Sequence, residues 1–267
     1  MTSLPQDSGI AFLASGSRGN AALIYDGGRG VLVDCGLSAR EARRRIDDAG
    51  LSDVRIEALV VTHEHSDHVA GVRVLSRAIG APVYATRATL ARMDAHLVDV
   101  PDVCVIRPGE TLALATFSVV AFRTSHDAAD PVGYVFEDTR GRRIGIMTDT
   151  GVLTEEIAEA IAGCDVLGIE ANHDYDMLEN GPYPGFLKQR IRSDRGHLSN
   201  RSAGDALERL ASDRLHTIVG LHLSEQNNHP RLARASLGAA SRSLGLSAEV
   251  HVASQRTPLV CAIVNAR

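Results

Sequence analysis

The feature that most limits what this chain can fold into is the run Leu59-Val60-Val61-Thr62-His63-Glu64-His65-Ser66-Asp67-His68. An apolar, β-branched segment of strand character ends at Thr62, and three histidines and an aspartate follow directly before a segment of helical character. The chain holds eleven histidines. Gathering three of them with a carboxylate at the end of a buried strand gains nothing for packing, because polar groups taken out of water need partners. Metal coordination supplies a reason. In extended or turn geometry His63 and His65 project to one side, and the turn into the helix can bring Asp67 and His68 round to a second position. Imidazole nitrogens and carboxylate oxygens suit Zn²⁺ or a related first-row ion. Four consecutive ligands would crowd one ion, whereas two ions about 3.5–4 Å apart can share them. The alternative is a polar surface loop that happens to be rich in histidine.

The rest of the chain reads as strands and helices spread over its whole length. IAFLAS, AALIYD, GVLVDCG, EALVVTH, PVYA, TLALATFSVVAF, VGYVFED and RRIGIMTD are short, rich in Val, Ile and Ala, and bounded by Gly, Asp or Arg, which predicts strands. VLGIEA, HTIVGLHLS, SAEVHVA and LVCAIV continue them in the second half. Helices come between. Ser38 and Glu41 form a capping box for a helix running to Gly50, a second helix is predicted from His68 to Gly80, and a third from its cap Thr154 to Gly163. Others fall near Pro184 to Arg192, Ser199 to Ala211 and Pro230 to Leu244. No repeat, low-complexity stretch or linker divides the sequence, so one continuous domain over residues 1–267 is expected. Hairpin-like spacing between Gly30 and Val135 favours largely antiparallel pairing there, while later strand-helix-strand units favour layered α/β packing.

At 44% hydrophobic and 23% charged residues the chain can bury a core, which excludes disordered, collagen-like and membrane compositions. Its beginning, MTSLPQDSGI, has neither a basic n-region nor an apolar h-region, and no apolar run approaches the roughly 20 residues needed to cross a bilayer. A cytoplasmic location without a membrane partner is therefore expected. Cys35, Cys104, Cys164 and Cys261 are scattered without a CxxC pair and read as reduced thiols. The formal charge of -5 gives no global attraction to nucleic acid, so contact with a polyanion must come from local arginines and from metals.

HEHSDH resembles the HxHxDH signature of the metallo-β-lactamase superfamily, whose pattern also asks for a later His, an Asp at a strand end and a final His. His126 ends SVVAFRTSH, Asp149 ends RRIGIMTD, and His222 follows TIVGL, in that order. The resemblance implies an α/β fold: a four-layer αββα sandwich with two mixed, mainly antiparallel sheets and helices outside. It also implies two divalent metal ions, zinc or manganese. His63, His65 and His126 would hold one, Asp67, His68 and His222 the other, with Asp149 bridging both and Asp67 counted as catalytic as well. LASGSRGNA, VDCGLS, THEHSDHVAG, SHDAADPVGYVF, TDTG, EANHD, GPYP and RGHLSN are further similar to the YycJ/WalJ group of metallo-β-lactamase-fold nucleases, from Phe12 to Asn228. That similarity implies a metal-dependent phosphodiesterase acting on nucleic acid, with 5′ to 3′ DNA exonuclease activity the favoured form.

Two adjacent cations would lower the pKa of a water between them towards neutrality and so supply a hydroxide nucleophile. His197, in RGHLSN before a helix, resembles the Gly-His-Ser/Thr element of ribonuclease Z, which implies a general acid; a histidine there could equally cap or pack. Asn20, in the turn SGSRGN, is a candidate for phosphate contact, against a plain turn residue. His173 in EANHD and Ser199 beside His197 are further candidates for substrate binding, and Glu170 could orient His197 or a ligand. Lys188, Arg190, Arg192, Arg195 and Arg201 form a basic cluster that could follow a phosphate backbone or simply face solvent. His96, His216, His229 and His251 are not expected to bind metal. The alternatives are ribonuclease Z-like RNA processing, glyoxalase II-like thioester or lactone hydrolysis, and metal binding without catalysis. No long inserted arm lies between Asp149 and His222, which weakens the ribonuclease Z reading.

Overall fold

The computed structural model describes residues 8–263, so the first seven residues of the N-terminal stretch lie outside it, as does the last residue of LVCAIV. The first half contains β1 (Gly9–Ala14), β2 (Ala21–Asp26), β3 (Arg29–Val33), α1 (Ala39–Asp48), β4 (Arg55–Val60), α2 (Ser66–Val69), α3 (Val72–Ile79), β5 (Val83–Ala85), α4 (Arg87–Arg92), α5 (Asp94–Leu97) and β6 (Val103–Val105). The second contains β7 (Thr111–Ala113), β8 (Phe117–Arg123), β9 (Val132–Asp138), β10 (Arg143–Met147), α6 (Glu155–Ile161), β11 (Val166–Glu170), α7 (Tyr175–Asn180) and α8 (Gly185–Arg192). It ends with α9 (Asn200–Leu210), β12 (Thr217–Leu221), α10 (Pro230–Ser243), β13 (Glu249–Val252) and β14 (Leu259–Ala262).

The strands form two seven-stranded mixed sheets, one ordered β14-β1-β2-β3-β4-β5-β6 and the other β13-β12-β11-β10-β9-β8-β7. Strand periodicity decides the layers. Ile10, Phe12, Ile24, Val31, Val33 and Val60 of the first sheet meet Val119, Tyr134, Phe136, Ile146 and Leu221 of the second in one core. Their sequence neighbours point the other way. Ala11, Leu13, Leu23, Leu32 and Leu59 pack under α1 and α3, while Val135, Met147, Leu167, Ile169 and Ile218 pack under α6, α9 and α10. The result is the αββα sandwich.

The expected antiparallel bias holds for only half of each sheet. β14-β1-β2-β3 and β7-β8-β9-β10 pair antiparallel, whereas β3-β4-β5-β6 and β10-β11-β12-β13 pair parallel. Helices cause the difference: α1 returns the chain between β3 and β4, and α2 with α3 does so between β4 and β5, so each strand restarts at the same end. The run TLALATFSVVAF is not one strand but a hairpin, closed by Leu114 N donating to Phe117 O. It carries no Gly or Pro to mark the turn. The helix expected from His68 to Gly80 starts earlier, at Ser66, and is interrupted at Gly71, where a Cβ would stand 2.1 Å from the Leu37 carbonyl. Among the described residues no helix is long and apolar enough to cross a membrane, and the four cysteines are unbridged.

Candidate metal centre

One rim of the sandwich collects the polar strand ends. Asp34 follows β3, His63 and His65 follow β4, His126 follows β8, Asp149 follows β10, Glu170 ends β11 and His222 follows β12. Asp34, Asp149 and His222 have positive φ, at 58°, 53° and 53°. Side chains other than glycine rarely accept that conformation, and it costs about 1–3 kcal/mol at each position. Placing three such residues at one rim indicates that the surrounding contacts, rather than local preference, aim these side chains.

The seven side chains singled out in the sequence converge. Ligand atoms of His63, His65 and His126 lie within 4.8 Å of one another, as do those of Asp67, His68 and His222, and those of His63, His68 and Asp149. Asp149 therefore stands between the two triads. Its Oδ2 is 3.3 Å from His68 Nε2, and its Oδ1 is 3.8 Å from His126 Nε2 and 3.4 Å from His222 Nδ1.

The hydrogen bonds around these rings present one nitrogen of each to the centre. His68 Nδ1 donates to Asp34 Oδ2 at 2.7 Å, His126 Nδ1 donates to Gly196 O at 3.1 Å, and His222 Nδ1 donates to Glu170 Oε1 at 3.0 Å. Thr62 Oγ1 donates to Asp34 Oδ2 at 2.9 Å and so accepts from His63 Nδ1 at 3.0 Å. With Nδ1 so engaged, Nε2 of each ring is left for the centre, where a cation can take the place of a proton, the arrangement that metal-binding imidazoles require. His222 Nε2 is buried without a hydrogen-bond partner among the described residues. His63 Nε2 and His65 Nδ1 face each other at 3.0 Å, a contact that needs a proton or a cation between them.

Charge points the same way. Burial disfavours ionised Asp149, but His222 and His68 outweigh it and hold its carboxyl well below the usual range. Burial likewise opposes a proton on His222, yet Asp149, Asp67 and Glu170 push its imidazole up to about 10. With Asp34, Asp67, Asp149 and Glu170 around it, the pocket attracts positive charge, which divalent cations can supply in place of protons. The donor set and the unpaired Nε2 fit such ions.

Glu170 is fully buried and central. Burial raises its pKa, but His197 and His222 bring it down to about 2. Its Oε2 accepts from Thr150 N and Leu198 N, and its Oε1 accepts from His197 Nδ1 at 2.8 Å. Burial lowers the basicity of His197, and Glu170 beside it reverses the sign, so the imidazole titrates above its ordinary value.

The remaining candidates fall in different places. Asn20 is buried and faces inward: its amide approaches His68 Nε2 at 3.1 Å and Asp67 Oδ2 at 3.3 Å, and its Oδ1 accepts from Gly16 N. It braces the second triad from beneath instead of meeting solvent. His173 is 2% exposed and pushed down to about 4 by burial, so it sits behind the rim. Ser199 caps α9, accepting from Ser202 N. The basic residues are already engaged: Arg190 pairs with Asp127, Arg192 with Glu179, Arg201 with Asp205, and Lys188 and Arg195 with the carbonyls of Glu179 and His126. Sequence reasoning did not single out Asp34, Thr62, Ser15 or Asn172. Ser15 Oγ accepts from His222 N, and Asn172 Nδ2 donates to His222 O. Asp34 carried a signal, an acidic residue closing the apolar run VLVD before Cys-Gly; the other three carried none.

Two mixed sheets with imidazoles and carboxylates gathered on one rim define a hydrolase of the metallo-β-lactamase fold. A β-lactamase superfamily domain model matches residues 29–218. The exodeoxyribonuclease YycJ of Bacillus anthracis is 34% identical over 93% of this chain and 96% of its own length. The exodeoxyribonuclease WalJ of Streptococcus pneumoniae is 34% identical over 92% of this chain and 94% of its own. In fold alone, the metallo-β-lactamase fold protein YhfI of Bacillus subtilis superposes with a TM-score of 0.73 at 16% identity, covering 96% of this chain and all of its own. The chain belongs to the metallo-β-lactamase superfamily and, within it, to the group that contains YycJ and WalJ. It is a metallo-hydrolase.

Proposed function

We propose that this chain acts, as one domain in the cytoplasm, as a metal-dependent phosphodiesterase on nucleic acid, specifically a 5′ to 3′ DNA exonuclease. The observation that carries the reading is the convergence of seven imidazole and carboxylate groups beside a histidine, His197, whose Nδ1 is held by Glu170. Likeness over almost the whole length to two relatives named exodeoxyribonucleases supports the choice of substrate.

In this reading His63, His65 and His126 hold one divalent ion, Asp67, His68 and His222 hold a second, and Asp149 serves both; zinc and manganese each suit the donors. Bound there, the ions supply Lewis acidity, acidifying a water and offsetting charge on the phosphate. The protein supplies the rest. Asp34, Thr62, Gly196 and Glu170 fix the imidazoles by their Nδ1 atoms, and Asn20 steadies Asp67. His197 carries a proton on Nδ1 towards Glu170 and, when charged, a second on Nε2. That second proton is available to the leaving oxygen, and the Glu170 carboxylate beside the ring raises the imidazole's basicity above its ordinary value.

End-labelled DNA and RNA incubated with Mn²⁺ or Zn²⁺ test the reading. The expected result is stepwise release of nucleotides from the 5′ end of DNA. Intact DNA and RNA alongside rapid thioester hydrolysis would overturn it, and degradation of RNA alone would move the substrate to RNA.

A further inference from the structure

Beside the histidines lies a cavity of about 210 Å³, lined by His126, His197 and His222 on the side of the metal centre. Tyr183, Leu187 and Ile191, all from the segment 183–191 that forms α8 and its approach, supply its apolar lining. Tyr183 is half-buried, and its hydroxyl makes no hydrogen bond among the described residues. Among the described residues Arg190 is the one Lys or Arg side chain in the lining, and its Nε already donates to Asp127 Oδ2 at 2.7 Å.

Size and charge narrow the occupant. An apolar cavity of ~150 Å³ takes one benzene ring, so this one has room for a single nucleobase. A cavity whose only guanidinium is neutralised by a neighbouring carboxylate suits an uncharged heterocycle better than a second phosphate. An aromatic ring that shares a lining with aliphatic side chains offers a stacking surface, and every base has a face to offer it.

We propose that this cavity receives the base of the terminal nucleotide, stacked on Tyr183 and flanked by Leu187 and Ile191, so that the adjoining phosphodiester reaches the metal centre. The proposal rests on the nuclease reading and deepens it: the enzyme takes one nucleotide at a time from the end, with little preference among bases. Tyr183 is a positioning residue.

The test uses the Mn²⁺-loaded chain and two oligodeoxynucleotides, identical except that the terminal nucleotide of one is abasic, each offered both single-stranded and annealed to its complement. The wild-type protein is expected to cut the abasic substrate with KM raised roughly 10-fold. Tyr183→Ala is expected to raise KM for the intact end by a similar factor and to lose the distinction between the two ends, while Tyr183→Phe keeps it. Where Tyr183→Ala does not fold, Leu187→Ala is expected to narrow the same ratio. Equal KM values for both ends in the wild-type protein, or full discrimination in Tyr183→Ala, overturn the cavity assignment and leave the nuclease reading standing. Failure to cut either oligonucleotide overturns both.

Discussion

Glu170 shows how much of the centre depends on single residues. Its one carboxylate, 0% exposed, holds His197 and His222 by their Nδ1 atoms and accepts two backbone amides, so four donors converge on two oxygens. A buried carboxylate stays ionised only with that degree of satisfaction. Because His222 belongs to the proposed ligand set and His197 does not, the two imidazoles can be separated by experiment. His197→Ala is expected to lower kcat by roughly 10²- to 10⁴-fold with metal content unchanged, measured on end-labelled DNA and by elemental analysis of the same preparation. Loss of metal from that variant would show that His197 is a ligand and not the acid. The strained φ values of Asp34, Asp149 and His222 belong to the same scale, since each lets a side chain at a strand end turn back over the rim.

At the scale of elements, the centre depends on close backbone approaches. Gly36, just after β3, lies where a Cβ would stand 1.7 Å from the Asp67 carbonyl, and its N–H donates to Asn20 O at 2.9 Å. The loops carrying Asp34, Asp67 and Asn20 thus touch at this residue. Gly36→Ala is expected to cost about 3 kcal/mol and to show a lowered Tm in calorimetry, whereas Gly185→Ala, with open space around its Cβ, is expected to leave Tm nearly unchanged. Equal melting temperatures for the two variants would contradict this packing. The elements themselves were legible where a local signal marks them. The α1 helix with its Ser38 cap, α6 with its Thr154 cap, and the strands β4 and β10, which end two residues before Thr62 and Asp149, all follow from periodicity and capping. The parallel pairing of β3 to β6 was not, because register between distant strands is set by the helices that return the chain. The hairpin inside TLALATFSVVAF was hidden for a different reason: its turn uses ordinary residues.

Across the whole molecule, the proposed ligands come from positions 63 to 222, and only tertiary structure brings them together. The spacing within HEHSDH could be read as a metal motif by itself, and resemblance supplied His126, Asp149 and His222. Of the supporting shell, Asp34 could have been found from its place at the end of the apolar run VLVD, whereas Thr62, Ser15 and Asn172 could not, because a hydrogen bond to the ring or backbone of a histidine leaves no periodic trace in sequence. The same concentration of buried carboxylates raises the basicity of His68 and His222, in a chain of net charge -5 whose arginines are largely paired with acids. The central claim is that these carboxylates and imidazoles hold a pair of cations that the hydrolysis of nucleic acid requires. The direct measurement is titration of the metal-stripped protein with Mn²⁺ or Zn²⁺, following bound metal and the rate of nucleotide release from end-labelled DNA together. The expected result is no release without metal and a rate that levels off at two ions per chain. Full activity in the stripped protein, or a plateau at a single ion, would contradict it.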